Sequence, residues 1–268
     1  MKTKEKKYSF NFIVGSIIAG AVVLLVFIGF FYTPYGPNDM NASIKNITPS
    51  FSHPFGTDNF GRDILSRVMD GAGTTFLIAI ITVTIGVFFG TILGAVTGYF
   101  GGWLDEVLMR INDGLTSFPS ILLALVFVSI FGSGTYNIVL ALGIIFIPSF
   151  ARVVRSEFIT LKEMDFVKNA KLMGASHLRI MFLHILPNTK PILLSAIMIG
   201  FNNAVLAEAG LSYLGLGVQP PTASLGRMLS EAQAYLFNAP WYAIAPGLMI
   251  VFTVLGFSLL SGGAVDER

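Results

Sequence analysis

The chain has 268 residues, of which 54% are hydrophobic and 12% are charged. Soluble domains carry about 25% charged residues, with which they cover their surface. This chain has about half that share of charged residues and a mean hydropathy of +0.74, which excludes an ordinary soluble domain. The net charge of +2 is too small to indicate a nucleic-acid partner, and the absence of cysteine excludes disulfides and thiolate metal sites. The composition therefore predicts an all-α integral membrane protein.

Long runs without Asp, Glu, Lys or Arg predict about six transmembrane helices, since a spanning helix needs about 20 mostly apolar residues. The first run is too long for the apolar region of a secretory signal, so we expect a retained helix. The third run is too long for one span, and the turn-forming cluster Gly132–Thr135 divides it in two. Trp241 and Tyr242 begin the last span as predicted interfacial anchors. The predicted spans are residues 12–32, 76–98, two within 114–151, 191–207 and one within 232–265.

Basic residues favour short cytoplasmic loops and so predict the orientation of the spans. Four lysines lie in residues 1–11, and seven basic residues lie in or beside the connection 157–188. With six spans these two regions fall on one side, so both termini, 1–11 and 266–268, are predicted to be cytoplasmic. Residues 33–73, with three basic residues against four aspartates, are predicted to be extracellular, and residues 74–265 to form a core with five further spans.

The connection 157–188 has the pattern of two short helices rather than a disordered loop. In the first, three apolar residues recur at i, i+4 and i+7, and Gly174 suits the left-handed conformation that ends helices. Ser176 is a predicted cap for the second helix, and Pro187 is expected to close it. These residues alone leave two interpretations open: the segment lies at the membrane surface, or it inserts into a cleft of a partner protein. The apolar stripes are Phe166, Ala170 and Met173, then Leu178, Phe182 and Ile185.

The same connection resembles the Glu-Ala-Ala loop of bacterial ABC-importer permeases. The resemblance rests on Lys168-Asn169-Ala170, Gly174 and Ile185-Leu186-Pro187, although Lys168 and Asn169 replace the family's Glu and Ala. In that family the first short helix docks on an ATPase subunit, so the resemblance implies ATPase coupling through this segment. Its implied coupling residues are Phe166, Lys168, Asn169, Ala170, Met173, Gly174, Ile185, Leu186 and Pro187.

Two further segments resemble the peptide/nickel branch of these permeases. They are residues 53–67, beginning His-Pro-Phe-Gly-Thr-Asp, and residues 208–221, with Leu-Gly-Leu-Gly before Val-Gln-Pro-Pro; residues 239–241 and 245–247 continue the match. The resemblance implies the type I ABC importer fold and the second of two homologous permease subunits in a bacterial or archaeal plasma membrane. Implied partners are a homologous permease, two ATPases that use ATP-Mg, and an extracellular solute-binding protein. The implied cargo is a di- or oligopeptide first, and nickel or a metal chelate second.

Polar residues near the fifth span are candidates for the translocation pathway, because ionisable groups inside a membrane are costly. Glu208, expected near the outer end, has a substrate or gate role and a packing or capping role as alternatives. Asn202 and Asn203 line the pathway or hydrogen-bond a neighbouring helix. On the extracellular side, the cap residues Asp58, Arg62 and Asp63 form an internal charge network or meet the binding protein.

Other classes of function are disfavoured by the sequence. His53, His177 and His184 are scattered, so no metal site or bound cofactor is predicted, and an intramembrane protease would need a positioned nucleophile or zinc pair. The glycine-rich residues 71–75 lack the lysine of a phosphate loop, so the chain is not expected to hydrolyse ATP. A passive channel needs no paired cytoplasmic helices. Gly86, Gly90, Gly94 and Gly98 predict close helix packing, within the chain or between subunits.

Overall fold

The computed structural model describes residues 10–265, and the predicted cytoplasmic lysines near the N-terminus and the end 266–268 lie outside the described residues. Within residues 10–265 the chain is helical, with one isolated β-bridge between Thr57 and Asp63. The helices are α1 (Phe10–Phe31), α2 (Ile64–Phe100), α3 (Gly102–Thr116), α4 (Ser120–Phe131), α5 (Thr135–Leu161), α6 (Asp165–Leu172), α7 (His177–Arg179), α8 (Leu186–Tyr213), α9 (Leu225–Ala232) and α10 (Trp241–Val265), with a π-helical segment at Ile180–Ile185 and 3-10 turns at Ala42–Ile44 and Gln233–Tyr235.

Five helical stretches in the described part of the chain are long and apolar enough to span a membrane: α1, α2, α5, the continuous helix His177–Tyr213 and α10. A sixth span exists if α3 and α4, which meet at 89°, count as one. The prediction of about six spans is confirmed on that count. The bend follows from Pro119, which lacks an amide proton and disfavours helical geometry at Phe118.

Glycines end helices at two places where the backbone takes positive φ. Gly101 (φ +66°) and Gly102 (φ +62°) separate α2 from α3. Gly132 (φ +89°) and Gly134 (φ +137°) separate α4 from α5, which confirms the predicted division. Helix α2 itself begins at Ile64, well before the expected start of the core at residue 74.

The first of two compact units comprises residues up to 79, residues 131–138 and residues from 202 onward. In it α1 packs along α10 at a distance that only glycine permits. A Cβ on Gly15 would lie 2.8 Å from the Leu259 Cβ, and one on Gly256 would lie 2.8 Å from the Ala19 amide nitrogen. Helix α9 packs on α10 in the same unit.

The second unit comprises residues 80–130 and 139–201. Here the glycine stripe of α2 lies directly against α5. A Cβ on Gly86 would lie 2.9 Å from the Phe146 Cβ, and one on Gly90 would lie 2.9 Å from the Ala151 amide nitrogen. The predicted close packing is confirmed, and it occurs within this chain. It brings the carboxyl end of α2 beside the segment that follows α5.

Candidate functional site

The first short helix of the candidate coupling segment, α6, ends as its sequence predicts. Gly174 has φ +79°, its amide donates to the Lys171 carbonyl at 3.0 Å, and the next amide, of Ala175, donates to the Ala170 carbonyl at 3.0 Å. These two bonds form a Schellman motif, in which a left-handed residue satisfies carbonyls that the helix leaves unpaired. The chain therefore reverses at Gly174.

The second short helix begins as predicted but does not end at Pro187. The Ser176 hydroxyl accepts a hydrogen bond from the Arg179 amide, so the predicted cap is confirmed. The chain then continues through the π-helical segment into α8 and past Pro187 without a break. In the wider π turn the Leu186 amide donates to the Met181 carbonyl, five residues earlier. This turn directly precedes Pro187, whose missing amide and ring a regular α-helix tolerates poorly.

The apolar stripes of both short helices differ from the predicted ones. In α6, Val167 and Ala170 are buried, whereas Phe166 is 40% exposed and Met173 is 87% exposed. In the second helix the buried residues include Ile180 and Ile185, which are five apart. Met181 is buried as well, and the wider π turn, closed by i→i+5 hydrogen bonds, brings residues four and five positions apart to one face. Exposed apolar residues of the coupling segment include Leu172, Met173 and Leu178.

The coupling segment is fixed to the ends of α2 and α5 within the second unit. Val167, Ala170, Ile180 and Ile185 belong to one buried apolar cluster that also contains Tyr99 of α2. Its other members are Ala95, Val154, Phe158 and Met181.

Polar contacts reinforce this attachment. The Tyr99 hydroxyl lies 2.9 Å from Nδ1 of His177, and the Lys171 ammonium lies 5.7 Å from the Tyr99 ring centroid. The Lys162 ammonium donates to the Gly98 carbonyl at 3.0 Å. Packed side chains and polar contacts therefore attach α6 to the ends of α2 and α5.

A buried ionic cluster lies in the first unit, around the segment between α1 and α2. Asp58, Arg62 and Arg67 are each at most 3% exposed. Nε of Arg62 donates to Asp58 at 2.5 Å, and Nη2 of Arg62 and of Arg67 donate to Glu231 at 2.9 Å and 3.2 Å. The predicted internal charge network is therefore present, with Glu231 as a partner that the sequence did not indicate.

Asp63 caps α2 instead of joining the arginines. Its carboxylate accepts from the Ser66 amide at 2.8 Å and the Ser66 hydroxyl at 2.7 Å, and it lies 2.9 Å from Nδ1 of His53. A carboxylate at this position satisfies amides that the first helical turn leaves free. Asp63 thus fixes the start of α2.

Glu231 is the centre of the ionic cluster. It accepts hydrogen bonds from Arg62, Arg67, Arg227 and the Tyr242 hydroxyl, the last at 2.8 Å. Burial alone would raise the pKa of Glu231, but the positive charge of Arg67, the Tyr242 hydroxyl and the charge of Arg62 outweigh it and hold the pKa below its ordinary value. Tyr242 is fully buried, so its predicted role as an interfacial anchor is wrong.

Glu208 is enclosed within the first unit. It is 0% exposed and accepts hydrogen bonds from the Thr75 hydroxyl at 2.8 Å and the Ser212 hydroxyl at 2.6 Å. Thr75 also accepts from the Leu225 amide at 3.2 Å, so Glu208 helps to join α2, α8 and α9. The burial of Glu208 and its contacts favour the packing alternative.

The two asparagines of the predicted pathway have different surroundings. Asn202 is 7% exposed, and its amide donates to the Val254 carbonyl of α10 at 3.3 Å, which is the helix-bonding alternative. Asn203 is exposed. Of the three pathway candidates, Asn203 alone is exposed on the surface of this chain.

Similarity to other proteins shows the family of this chain. Residues 86–266, more than half of the chain, match the family described as binding-protein-dependent transport system inner membrane components. The chain is 40% identical over 264 residues to the dipeptide transport system permease protein DppC of Alkalihalophilus pseudofirmus, covering 98% of this chain and 86% of that relative. It is 42% identical over 249 residues to the glutathione transport system permease protein GsiD of Escherichia coli O157:H7, covering 91% and 82%. The chain belongs to this permease family.

Solved structures show that the fold is that of type I ABC-importer permeases. A chain of the inward-facing MetNI methionine ABC transporter matches with a TM-score of 0.60 at 20% identity, over 75% of this chain and 95% of that one. A chain of an amino acid ABC transporter solved with histidines matches with a TM-score of 0.57 at 21% identity, over 75% and 93%. The predicted fold and the resemblance to the peptide/nickel branch are confirmed.

Several charged contacts of the permease were not predicted from the sequence. Arg155 of α5 holds Asp105 of α3 by two hydrogen bonds of 2.6 Å, and Arg152 donates to Asp113 at 3.1 Å. Both arginines were interpreted only as cytoplasmic-side charges. The available signal was their spacing of three residues, which places two cations on neighbouring positions of one helix face, where nearby acidic residues relieve their repulsion.

The candidate residues therefore fall into two separate groups. The coupling residues, including the exposed Lys168, Asn169 and Pro187, all lie in the second unit. The cap residues and the pathway candidates all lie in the first unit.

Proposed function

We propose that this permease forms half of the translocation pathway of an ATP-driven importer for short peptides. The observation that carries the proposal is the coupling segment. It presents the exposed apolar residues Leu172, Met173 and Leu178, while its other face is packed on α2 and α5. Exposed apolar side chains on a segment that is packed firmly against the spans are suited to binding a partner protein. A passive channel has no need for such a segment.

The partners in this proposal are a homologous permease, two ATPases and an extracellular binding protein, with lipid around the spans. The ATPases use ATP-Mg and this chain binds no cofactor of its own. Their closure pushes the docked α6 helices together, and the permeases change from inward-open to outward-open. Cargo leaves its binding protein in the outward-open state.

The names of the relatives support a peptide as cargo. The relatives of 40% and 42% identity are permeases of dipeptide and glutathione transport systems, and both of these cargos are short peptides. Nickel or a metal chelate remains the second cargo in our proposal. Selectivity in such a system resides mainly in the binding protein.

Uptake by cells carrying the complete transporter tests this function. We expect radiolabelled dipeptide or glutathione to accumulate, and accumulation to require both the binding protein and ATPases able to hydrolyse ATP. Uptake that persists with an ATPase variant unable to hydrolyse ATP would indicate a passive channel. Uptake of nickel alone would replace the peptide assignment.

Membrane sidedness is part of the proposal and has its own test. We expect both termini and the coupling segment to be cytoplasmic, and the segment between α1 and α2 to be extracellular. The absence of cysteine allows single cysteines to be placed at positions 4, 45 and 266 and labelled with an impermeant reagent. Position 45 should react in intact cells while 4 and 266 stay unlabelled, and labelling at 4 would reverse the orientation.

A further inference from the structure

The face of α5 opposite its packed side is polar and concave. Ser149, Arg152 and Ser156 recur at i, i+3 and i+7, and with Val153, Glu157 and Ile192 of α8 they line a depression of about 450 Å³ in the second unit. The packed side carries Ala151, Val154 and Phe158, all at most 1% exposed. A polar stripe on a spanning helix faces water or protein rather than hydrocarbon.

Both charged side chains of this depression have polar atoms that are free to bind a ligand. Nη2 of Arg152 uses its two protons on Asp113 at 3.1 Å and Thr116 at 3.0 Å. These bonds orient the guanidinium, while its Nη1 and Nε have no hydrogen bond within residues 10–265. Glu157 has no ion pair within the same residues and is partly exposed. One oriented cation and one unpaired anion therefore lie on the same surface.

The positions of Arg152 and Glu157 along α5 suit the two ends of a short zwitterion. Five residues of α-helix separate Arg152 from Glu157, so their Cα atoms lie about 7.5 Å apart along the helix axis, which is comparable with the span of about 7 Å of two extended residues. The two seryl hydroxyls beside them supply further hydrogen-bonding groups, and Val153 with Ile192 supplies apolar surface. Concave sites with few polar groups on an apolar surface are typical of small-ligand binding.

We infer that this depression binds the charged termini of a dipeptide on its way through the permease. Arg152 binds the carboxylate, and Glu157 binds the ammonium group. This inference rests on the proposed function and adds to it a binding site and a preference for dipeptides with both termini free.

Equilibrium binding tests the site directly. The complete transporter in nanodiscs, without nucleotide or binding protein, is titrated with radiolabelled alanyl-alanine, its C-terminal amide and its N-acetyl derivative. We expect Arg152→Gln and Glu157→Gln each to weaken alanyl-alanine binding about tenfold, which corresponds to about 1.4 kcal/mol. Glu106→Gln, which removes an exposed acid of α3, is the control and should bind like the wild type.

The blocked peptides distinguish direct contact from a structural defect. The C-terminal amide should bind the wild type about tenfold more weakly than alanyl-alanine does, and Arg152→Gln should not weaken its binding further. Likewise, Glu157→Gln should not weaken binding of the N-acetyl peptide. These results are expected when the variant and the blocking group remove the same contact. Equal binding of free and blocked peptides, no saturable binding, or variants that weaken all three peptides alike would overturn the inference. If the wild-type transporter takes up dipeptide while any of these results is found, only the binding site is rejected and the proposed function is retained. If the wild-type transporter takes up no dipeptide, the proposed function itself is rejected.

Discussion

Replacing Gly174 isolates the backbone geometry of the coupling segment from its packing. Gly174 has φ +79°, and a Cβ built there meets no atom within 4 Å. The entire cost of a side chain is therefore the left-handed conformation, about 1–2 kcal/mol for a residue with a Cβ. Such an energy changes the ratio of docking-competent to displaced α6 by a factor of about 5–30.

We expect Gly174→Ala and Gly174→Val to insert normally in the membrane, because the spans are stabilised separately by lipid and helix packing. Both variants should recover less ATPase on co-purification, or bind it without stimulated hydrolysis, and valine should be the more severe because it is β-branched. Gly174→Asn should retain most function, since asparagine tolerates the left-handed region. Uptake, ATPase recovery and stimulated hydrolysis are measured at equal expression.

The matched control is Gly114→Ala in α3, where an added Cβ also meets no atom within 4 Å but the backbone does not have positive φ. It should resemble the wild type in all three measurements. If Gly174→Val also resembles the wild type, the reversal at Gly174 does not position the motor contact. If asparagine is as harmful as valine, the loss does not come from backbone conformation.

Three further changes test other parts of the structure. Ala170→Asp places an unpaired charge in the buried cluster at a cost of several kcal/mol, so ATPase co-purification should fall at unchanged membrane abundance, and full recovery would contradict this role of the cluster. Gly90→Ala should lower the thermal unfolding midpoint by overpacking worth about 1–3 kcal/mol, whereas Gly20→Ala, which meets no atom within 4 Å, should not; equal midpoints would refute close packing of α2 on α5. Because the folded pKa of Glu231 lies below its ordinary value of 4.5, its stabilisation is present above pH 4.5 and is lost as pH falls through the folded pKa. Unfolding midpoints between pH 7 and 3 should therefore decline less steeply for Glu231→Gln than for the wild type, and parallel declines would exclude this carboxylate as the cause.

Features governed by neighbouring residues were predictable from the sequence. The spans follow from uninterrupted apolar runs, and the breaks at Gly132 and Gly174 follow from the ability of glycine to adopt positive φ. The cap at Ser176 follows from a hydroxyl that reaches the free amides of its own helix. Each of these depends on a few successive residues, so no tertiary contact was needed to find it.

The coupling motif was also recognisable, but the direction of its side chains was not. Phe166 and Met173 fit an apolar stripe on a regular helix, yet Val167 and Ala170 are the buried residues of α6. The choice of face depends on the ends of α2 and α5, which lie far away in the sequence. The π-helical turn before Pro187 likewise changed the register of the second helix.

The sequence by itself determined that this protein crosses the membrane repeatedly and carries a glycine-linked helical pair between spans, because hydropathy and turn formation are local properties. Only the tertiary structure decided that Glu231 collects the charges of Arg62 and Arg67, that Glu208 is enclosed, and that Tyr242 is buried. Burial of a polar group is tolerated only where its hydrogen-bonding partners converge. Those partners come from distant parts of the chain, so their convergence is a property of the folded permease.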